Sequence, residues 1–323
     1  MSRRPGFSWA LAVLVPLLLA APGSAFAQFG ALRDAAKKVT DRTPNLGEML
    51  QGDPPITTSL VDAIFGVDSL DSFDPQNLTP LTDLERTENG GFLLQPGSYE
   101  IHGESYCLKA GTHGPGGGDG YLFASTAGPA ADAVLTILHG AVEHPEIHQH
   151  DIQVLLWAII ARAKFEDLSS ELKVTAAKLL TPEELARLNR SALDLVPAPV
   201  LQRALQSMPP LVRQVLEAEA RLRSMLTQPG MTFEQLEAVA VLAGLAPEGE
   251  GSRQVPSGRW SYHPTGYYIR FLPRGYTYTV TQIWVPEDSP AVGQEYDPAG
   301  HIAVPGNTAR QRLIQSGRVQ QQT

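Results

Sequence analysis

The spacing of apolar residues changes in kind twice along the chain, and this change constrains the fold more than any other feature. Alternation typical of strands runs from Phe92 to Lys109. Helical periodicity then takes over from Ala131, and aromatic and β-branched residues return between Trp260 and Val285. Strands on both sides of a helical middle predict an α+β protein, with a strand-and-helix region, a helical bundle in the middle and a small antiparallel β unit at the C-terminal end.

Turn formers and linkers mark the boundaries of these regions. We predict, in order, a signal peptide over 1–27, a loosely structured lead-in over 28–90, a strand-loop-helix region over 91–165, a helical bundle over 166–247, a small antiparallel β unit over 255–290 and a partly disordered tail over 291–323. Two helix starts are well defined. Thr181 is followed three residues later by Glu184, and Thr232 by Gln235, as in a capping box.

The first 27 residues have the parts of a secretory signal. Arg3 and Arg4 precede an apolar stretch from Trp9 to Ala21, and Ala25-Phe26-Ala27 offers a cleavage site before Gln28. No later run reaches the roughly 18 apolar residues that a spanning helix needs, so no transmembrane segment is expected. The sequence predicts a secreted or periplasmic protein, a location that also allows association with the cell surface.

Charge and cysteine content limit what the mature chain does. The net charge is −9, and cleavage after Ala27 removes two arginines and no acid, which makes it −11. Such a chain is not expected to bind nucleic acid. Exported proteins often contain disulfides, but Cys107 is the single cysteine of this chain, so an internal disulfide cannot form.

Two short motifs point to one chemistry. Tyr106-Cys107-Leu108 ends a predicted strand, and Ile152-Gln153-Val154-Leu155-Leu156-Trp157 opens a helix that is apolar nearly all round. Over about residues 92–163 the pair resembles the thioester domains of bacterial surface proteins. The resemblance implies a bond between Cys107 and Gln153 and covalent attachment to a surface protein or glycan partner. Tyr106 and His113 are candidates to assist formation of the bond.

Physical chemistry is compatible with this hypothesis. A buried glutamine costs roughly 1–3 kcal/mol unless its amide finds partners. Attack of the Cys107 thiolate on the Gln153 carboxamide would release ammonia and leave an acyl thioester that an amine or hydroxyl opens. The alternative is a hydrogen-bonded Gln153 beside an inert Cys107, in a structural or interaction module without covalent chemistry.

A histidine-rich segment supports a third hypothesis, a metal-binding protein. Its four imidazoles are close in sequence: His139, His144, His148 and His150. The segment lacks a His-Glu-x-x-His signature, and Pro145 interrupts the i, i+4 pair of His144 and His148. Cysteine-protease and serine-hydrolase signatures are also missing, so we assign no enzymatic activity and predict no cofactor.

Overall fold

The structure is a computed structural model that describes residues 54–56, 58–116, 118–188 and 208–319. These residues belong to one unit of the chain, Leu46–Thr323. The predicted signal peptide over 1–27 lies outside the described residues, as do residues 28–53 of the predicted lead-in and residues 320–323 of the predicted tail.

Twelve strands occur among the described residues. In chain order they are β1 (Thr79–Pro80), β2 (Phe92–Leu93), β3 (Gly97–Cys107), β4 (Thr112–His113), β5 (Tyr121–Ser125), β6 (Val241–Leu242), β7 (Ser261–Tyr262), β8 (Tyr268–Pro273), β9 (Tyr278–Val285), β10 (Glu295–Tyr296), β11 (His301–Pro305) and β12 (Leu313–Val319).

Six α-helices are described, all between β5 and β6. They are α1 (Ala131–Glu143), α2 (Gln149–Ile160), α3 (Ser170–Leu179), α4 (Pro182–Leu188), α5 (Pro210–Leu226) and α6 (Phe233–Ala240). The threonine at 232 caps α6 through the predicted capping box, with Gln235 bonding back to the Thr232 main chain.

One large sheet organises the molecule. Its strand order is β5-β11-β12-β3-β9-β8-β7, and every pair along this path is antiparallel. The short β1 adds a parallel pair at the start of β3. The sheet curls until β5 approaches β7 and β8, where the Phe123 main-chain N–H donates to Ser261 Oγ at 3.0 Å. The result is a nearly closed, barrel-like sheet.

Directly paired residues lie on the same face of an antiparallel sheet, so the registers define two faces. The face that we call the inner face contains Cys107 and the residues in register with it: Tyr99, Ile101, Gly103, Ser105, Tyr121, Phe123, Ile269, Phe271, Thr279, Thr281, Ile283, Ala303, Leu313 and Gln315. Its apolar members form one of two hydrophobic cores.

The helices pack on the opposite, outer face. Tyr106 and Leu108 of the β3 end, with Leu122 and Ile314 of other strands, share a second core with the apolar sides of the helices. Helix α2 lies in the middle of this core, and eight of its twelve residues are buried. This position explains why its sequence is apolar nearly all round.

The structure has both helices and sheets, as an α+β protein must. The finer division predicted from sequence is not confirmed. Strands β7, β8 and β9 join the sheet that contains β3 instead of forming a separate small unit, and the helices pack on that sheet. Within the predicted tail, residues 295–319 supply β10, β11 and β12, and Leu313 and Ile314 are fully buried.

Among the described residues, none of the helices combines the length and the apolar character that a membrane-spanning helix needs.

Candidate functional site

Cys107 is the last residue of β3 and lies on the inner face. Its side chain is fully buried and its thiol is free. Burial raises the pKa of the Cys107 thiol well above its usual value, and the nearby Glu237 carboxylate raises it further. The thiol is therefore neutral at rest, and any nucleophilic role needs a base to take its proton.

Gln153 approaches Cys107 from helix α2. The helix begins where the His148 side chain accepts a hydrogen bond from the His150 N–H, and Gln153 follows one turn later with only 2% of its surface exposed. Its carboxamide makes two bonds to one residue. The Cys107 N–H donates to Gln153 Oε1 at 2.8 Å, and Gln153 Nε2 donates to the Cys107 carbonyl at 3.2 Å.

These bonds form where β9 separates from β3. The ladder between these two strands ends at the pair Glu104 and Tyr278, followed by one bond from the Ser105 N–H to the Thr277 carbonyl. Beyond this point the β3 edge would be left unpaired inside the protein, which is costly. The Gln153 amide uses its oxygen as an acceptor and one of its two N–H groups as a donor, and so takes the place of a neighbouring strand.

A second glutamine closes the same gap one helical turn earlier. Gln149 Nε2 donates to the Thr277 carbonyl at 2.7 Å and to the Ser105 carbonyl at 3.2 Å. Gln149 and Gln153 are four residues apart and share one face of α2, and Ser105 and Cys107 are two residues apart in β3. Gln149 therefore bonds to the main chain of Ser105 in the same way as Gln153 bonds to the main chain of Cys107. We call Gln149 and Gln153 the glutamine clamp.

Two polar residues outside the predicted set are coupled to Cys107. The Tyr276 hydroxyl donates a hydrogen bond to the Glu237 carboxylate of α6. The pKa of Tyr276 is raised, first by burial and then by this bond, with smaller contributions from the charges of Glu237 and Cys107. The Glu237 carboxylate, whose charge acts on the Cys107 thiol, is therefore a candidate base for its proton.

The structure places the two predicted assistants elsewhere. The Tyr106 hydroxyl donates to Glu104 at 2.8 Å on the outer face, because Tyr106 and Cys107 are adjacent in a strand and point to opposite sides. The His113 ring donates from Nδ1 to the Ala243 carbonyl at 3.1 Å. Neither side chain bonds to Cys107 or Gln153 among the described residues.

Sequence reasoning missed Gln149, Glu237 and Tyr276. Gln149 carried a usable signal, since it lies four residues before Gln153 and so on the same side of one helix. Glu237 and Tyr276 carried none. They come from segments more than 120 residues beyond Cys107 in the sequence, and only the packing of α6 and the β8–β9 turn brings them together.

The four predicted metal ligands do not share one site: His148 and His150 contact each other, with 4.6 Å between ring centroids, while His139 and His144 have partners elsewhere. His139 bonds through Nε2 to Asp297 at 3.0 Å, and His144 bonds through Nδ1 to Glu146 at 3.2 Å. His148 caps α2, and the His150 ring stacks on Phe233 with 3.7 Å between ring centroids. The part of the chain that the structure describes contains no group of three or more His, Cys, Asp or Glu residues able to hold a metal ion.

Comparisons of the chain with protein-family models, with curated proteins and with solved structures find no match.

Proposed function

We propose that this protein is an exported surface or periplasmic binding protein in which Cys107 and Gln153 react to form an internal thioester. The thioester then attaches the protein covalently to an amine or hydroxyl of a surface protein or glycan. One observation carries the proposal. The Gln153 carboxamide makes two hydrogen bonds to the main chain of Cys107, a residue 46 positions away, in the interior of the protein.

The bonds of Gln153 favour attack on its carbonyl carbon. The 2.8 Å bond from the Cys107 N–H to Oε1 draws electron density from the carbonyl, in the manner of an oxyanion-hole donor. The same bond and its 3.2 Å partner keep the amide beside the residue that carries the thiol. Positioning of this kind replaces a random encounter of two groups with a reaction between neighbours.

Glu237 and Tyr276 supply the proton chemistry in this proposal. Glu237 accepts the Cys107 proton, the sulfur attacks Gln153 Cδ, and the C–N bond of the amide breaks. The proton passes to the departing nitrogen, so that thiol and carboxamide are converted to thioester and ammonia. The Tyr276 hydroxyl holds the Glu237 carboxylate by its hydrogen bond. Opening by a partner amine forms an amide at Cδ and restores the Cys107 thiol.

A second candidate function is a structural or interaction module with no covalent chemistry. It is favoured by the complete burial of Cys107 and by the satisfied hydrogen bonds of the Gln153 amide. In this account the glutamine clamp only joins α2 to the sheet, and Cys107 packs as a small apolar residue.

Intact mass spectrometry of the purified mature protein separates the two candidates. The thioester predicts a mass lower than the sequence mass by one ammonia, and methylamine treatment should then add one methylamine to the measured mass. The Cys107→Ala variant should show its full sequence mass and no reaction. Glu237→Gln should form the thioester more slowly, because the proposed base is lost. A full sequence mass in the wild type, with one titratable thiol, would favour the module without covalent chemistry.

A further inference from the structure

A cavity of about 250 Å³ lies outside the site already described. Three segments form its wall: the glycine-rich residues 115–116 and 118–119, Ser257, and residues 272–274, where β8 ends. Tyr121, the first residue of β5, also lines it. Ser257 and Arg274 are exposed while Tyr121 is fully buried, so the cavity has an open rim and a closed floor. We call it the Arg274 cavity.

Arg274 brings a positive charge to the rim. Within the described residues its guanidinium has no hydrogen bond or ion pair. Asp119, the other charged residue of the lining, is already engaged. It accepts a hydrogen bond from the Gly116 N–H at 3.0 Å and forms an ion pair with Arg310, with 2.8 Å between Oδ2 and Nε. The cavity therefore carries one uncompensated positive charge, in a chain whose net charge is −9.

Two hydroxyl groups complete the polar part of the lining. Ser257 supplies one at the rim. The Tyr121 hydroxyl is buried and has no hydrogen-bond partner among the described residues, a state that native proteins seldom leave uncorrected. Burial raises the pKa of Tyr121, and the Asp119 carboxylate raises it further, so the phenol is neutral and remains a hydrogen-bond donor. An oxygen atom of an occupant would pair it.

Charge selects the kind of group that the cavity accepts. One unpaired guanidinium balances one negative charge, and the Asp119 carboxylate in the same lining disfavours a second. A carboxylate therefore fits better than a phosphate dianion. Carboxylates also match the planar guanidinium, which donates two parallel hydrogen bonds to them.

Size and the remaining lining select the body that carries this carboxylate. A cavity of about 250 Å³ holds roughly eight water molecules at about 30 Å³ each, which is room for one small ring. The hydroxyls of Ser257 and Tyr121 both donate and accept, as the hydroxyls of a sugar do. The rest of the wall is apolar and suits the C–H face of such a ring; it consists of Pro115, Leu272 and Pro273.

We propose that the Arg274 cavity binds one sugar acid residue of the uronic acid class, with its carboxylate on Arg274 and its hydroxyls on Ser257 and Tyr121. The inference rests on the proposed function where it names an acidic sugar as the glycan that the protein recognises. Reversible binding at the cavity does not need the thioester.

An NMR titration of the purified mature protein with three probes tests the proposal. D-glucuronate should bind saturably. D-glucose, which lacks the carboxylate, and N-acetylalanine, which has the carboxylate of a peptide end, should bind at least about tenfold more weakly, a difference of about 1.4 kcal/mol. Equal binding of D-glucose would overturn the role of the charge. Tighter binding of N-acetylalanine would overturn the assignment to a sugar, and a lack of saturable D-glucuronate binding would overturn the proposal as a whole.

Two variants test the ends of the cavity. Arg274→Gln should weaken D-glucuronate binding about tenfold or more, because hydrogen bonds to a charged group are lost. Tyr121→Phe keeps the buried ring and should weaken binding about fivefold, because one neutral hydrogen bond is lost. The matched control is Arg221→Gln, since Arg221 is an exposed arginine of α5 that does not line the cavity. Its affinity should equal that of the wild type.

Two results with these variants would overturn the proposal. One is unchanged D-glucuronate affinity in both Arg274→Gln and Tyr121→Phe. The other is a loss in Arg221→Gln as large as that in Arg274→Gln, because the protein would then attract the anion by charge alone and not at the cavity.

Cys107→Ala separates this inference from the proposed thioester. The variant cannot form the thioester, yet it should bind D-glucuronate as the wild type does. If the wild type lacks the mass deficit of one ammonia but binds D-glucuronate, the thioester fails and the cavity assignment stands. If the deficit is present and D-glucuronate does not bind, the cavity assignment fails alone.

Discussion

The glutamine clamp and the histidine segment are two polar regions separated by only a few residues, and they have opposite fates in the fold. Gln149 and Gln153 converge on the single strand β3. The four histidines between 139 and 150 do not converge on one partner: only His148 and His150 contact each other, and all four range from half-buried to exposed. The density of reactive residue types in sequence therefore says little about a site. What makes a site is a common partner in the tertiary structure.

The largest expected effect is on the clamp itself. Compared with a chain whose Gln153 amide is intact, Gln153→Leu leaves the Cys107 N–H and carbonyl buried without partners, at roughly 1–3 kcal/mol each. We expect the free energy of unfolding, measured in urea, to fall by about 2–5 kcal/mol. A fall below about 1 kcal/mol would mean that water or another group replaces the amide and that the clamp does not hold α2 on the sheet.

A smaller loss is expected at the other clamp residue. Gln149→Leu removes bonds from one amide nitrogen to two carbonyls, of Ser105 and Thr277, and Gln149 is only half-buried. Because the Thr277 carbonyl keeps its bond from the Ser105 N–H, we expect a loss of about 1 kcal/mol in the same urea experiment. The variant should keep any mass deficit, since Cys107 and Gln153 remain. A loss equal to that of Gln153→Leu would remove the distinction between a structural and a reactive glutamine.

The histidine segment should respond to pH through one residue. The hydrogen bond to Asp297 raises the pKa of His139 above its usual value of 6.5. A raised pKa in the folded state adds stability that is fully present below pH 6.5 and is lost as pH rises through the folded pKa. His139→Gln should therefore lower the melting temperature more at pH 5 than at pH 8. Equal losses at both pH values would show that folding does not raise the pKa of His139.

The smallest effect is expected from metal ions. The histidines have other partners, so one equivalent of zinc should leave the melting temperature of the wild type unchanged. A rise of several degrees that His144→Gln and His148→Gln both abolish would contradict the contrast between the two regions. Stabilisation of that size follows only when the ion binds the folded state specifically.

Part of this architecture could be predicted from the sequence. The strand from Tyr99 to Cys107 and the buried helix around Gln153 follow from local alternation and periodicity, and so does the capping box at Thr232. The bond between Cys107 and Gln153 is implied by the resemblance to thioester domains and not by local patterns; the structure joins the two residues through main-chain hydrogen bonds. Local patterns could not show that Tyr106 points away from the thiol or that the Glu237 carboxylate lies near it, because that depends on which elements pack together.

The C-terminal region shows the limit most clearly. β12 contains Gln315, Ser316 and Gly317, a polar run that is typical of loops, yet Gln315 and Ser316 are buried. Gln315 lies on the inner face in register with Ser105, and the adjacent Ser316 points to the outer face, where it bonds to Tyr106. Because only some residues on each side of β12 are apolar, its sequence shows no clear alternation, and it predicted a tail instead of a strand.

A crystal structure of freshly purified protein would show whether the thioester forms, through the electron density between Cys107 Sγ and Gln153 Cδ. A thioester predicts continuous density for a carbon–sulfur bond and no amide nitrogen on Gln153. A free thiol beside an intact carboxamide, still bonded to the Cys107 N–H and carbonyl, would contradict the thioester and leave the glutamine clamp as a purely structural feature.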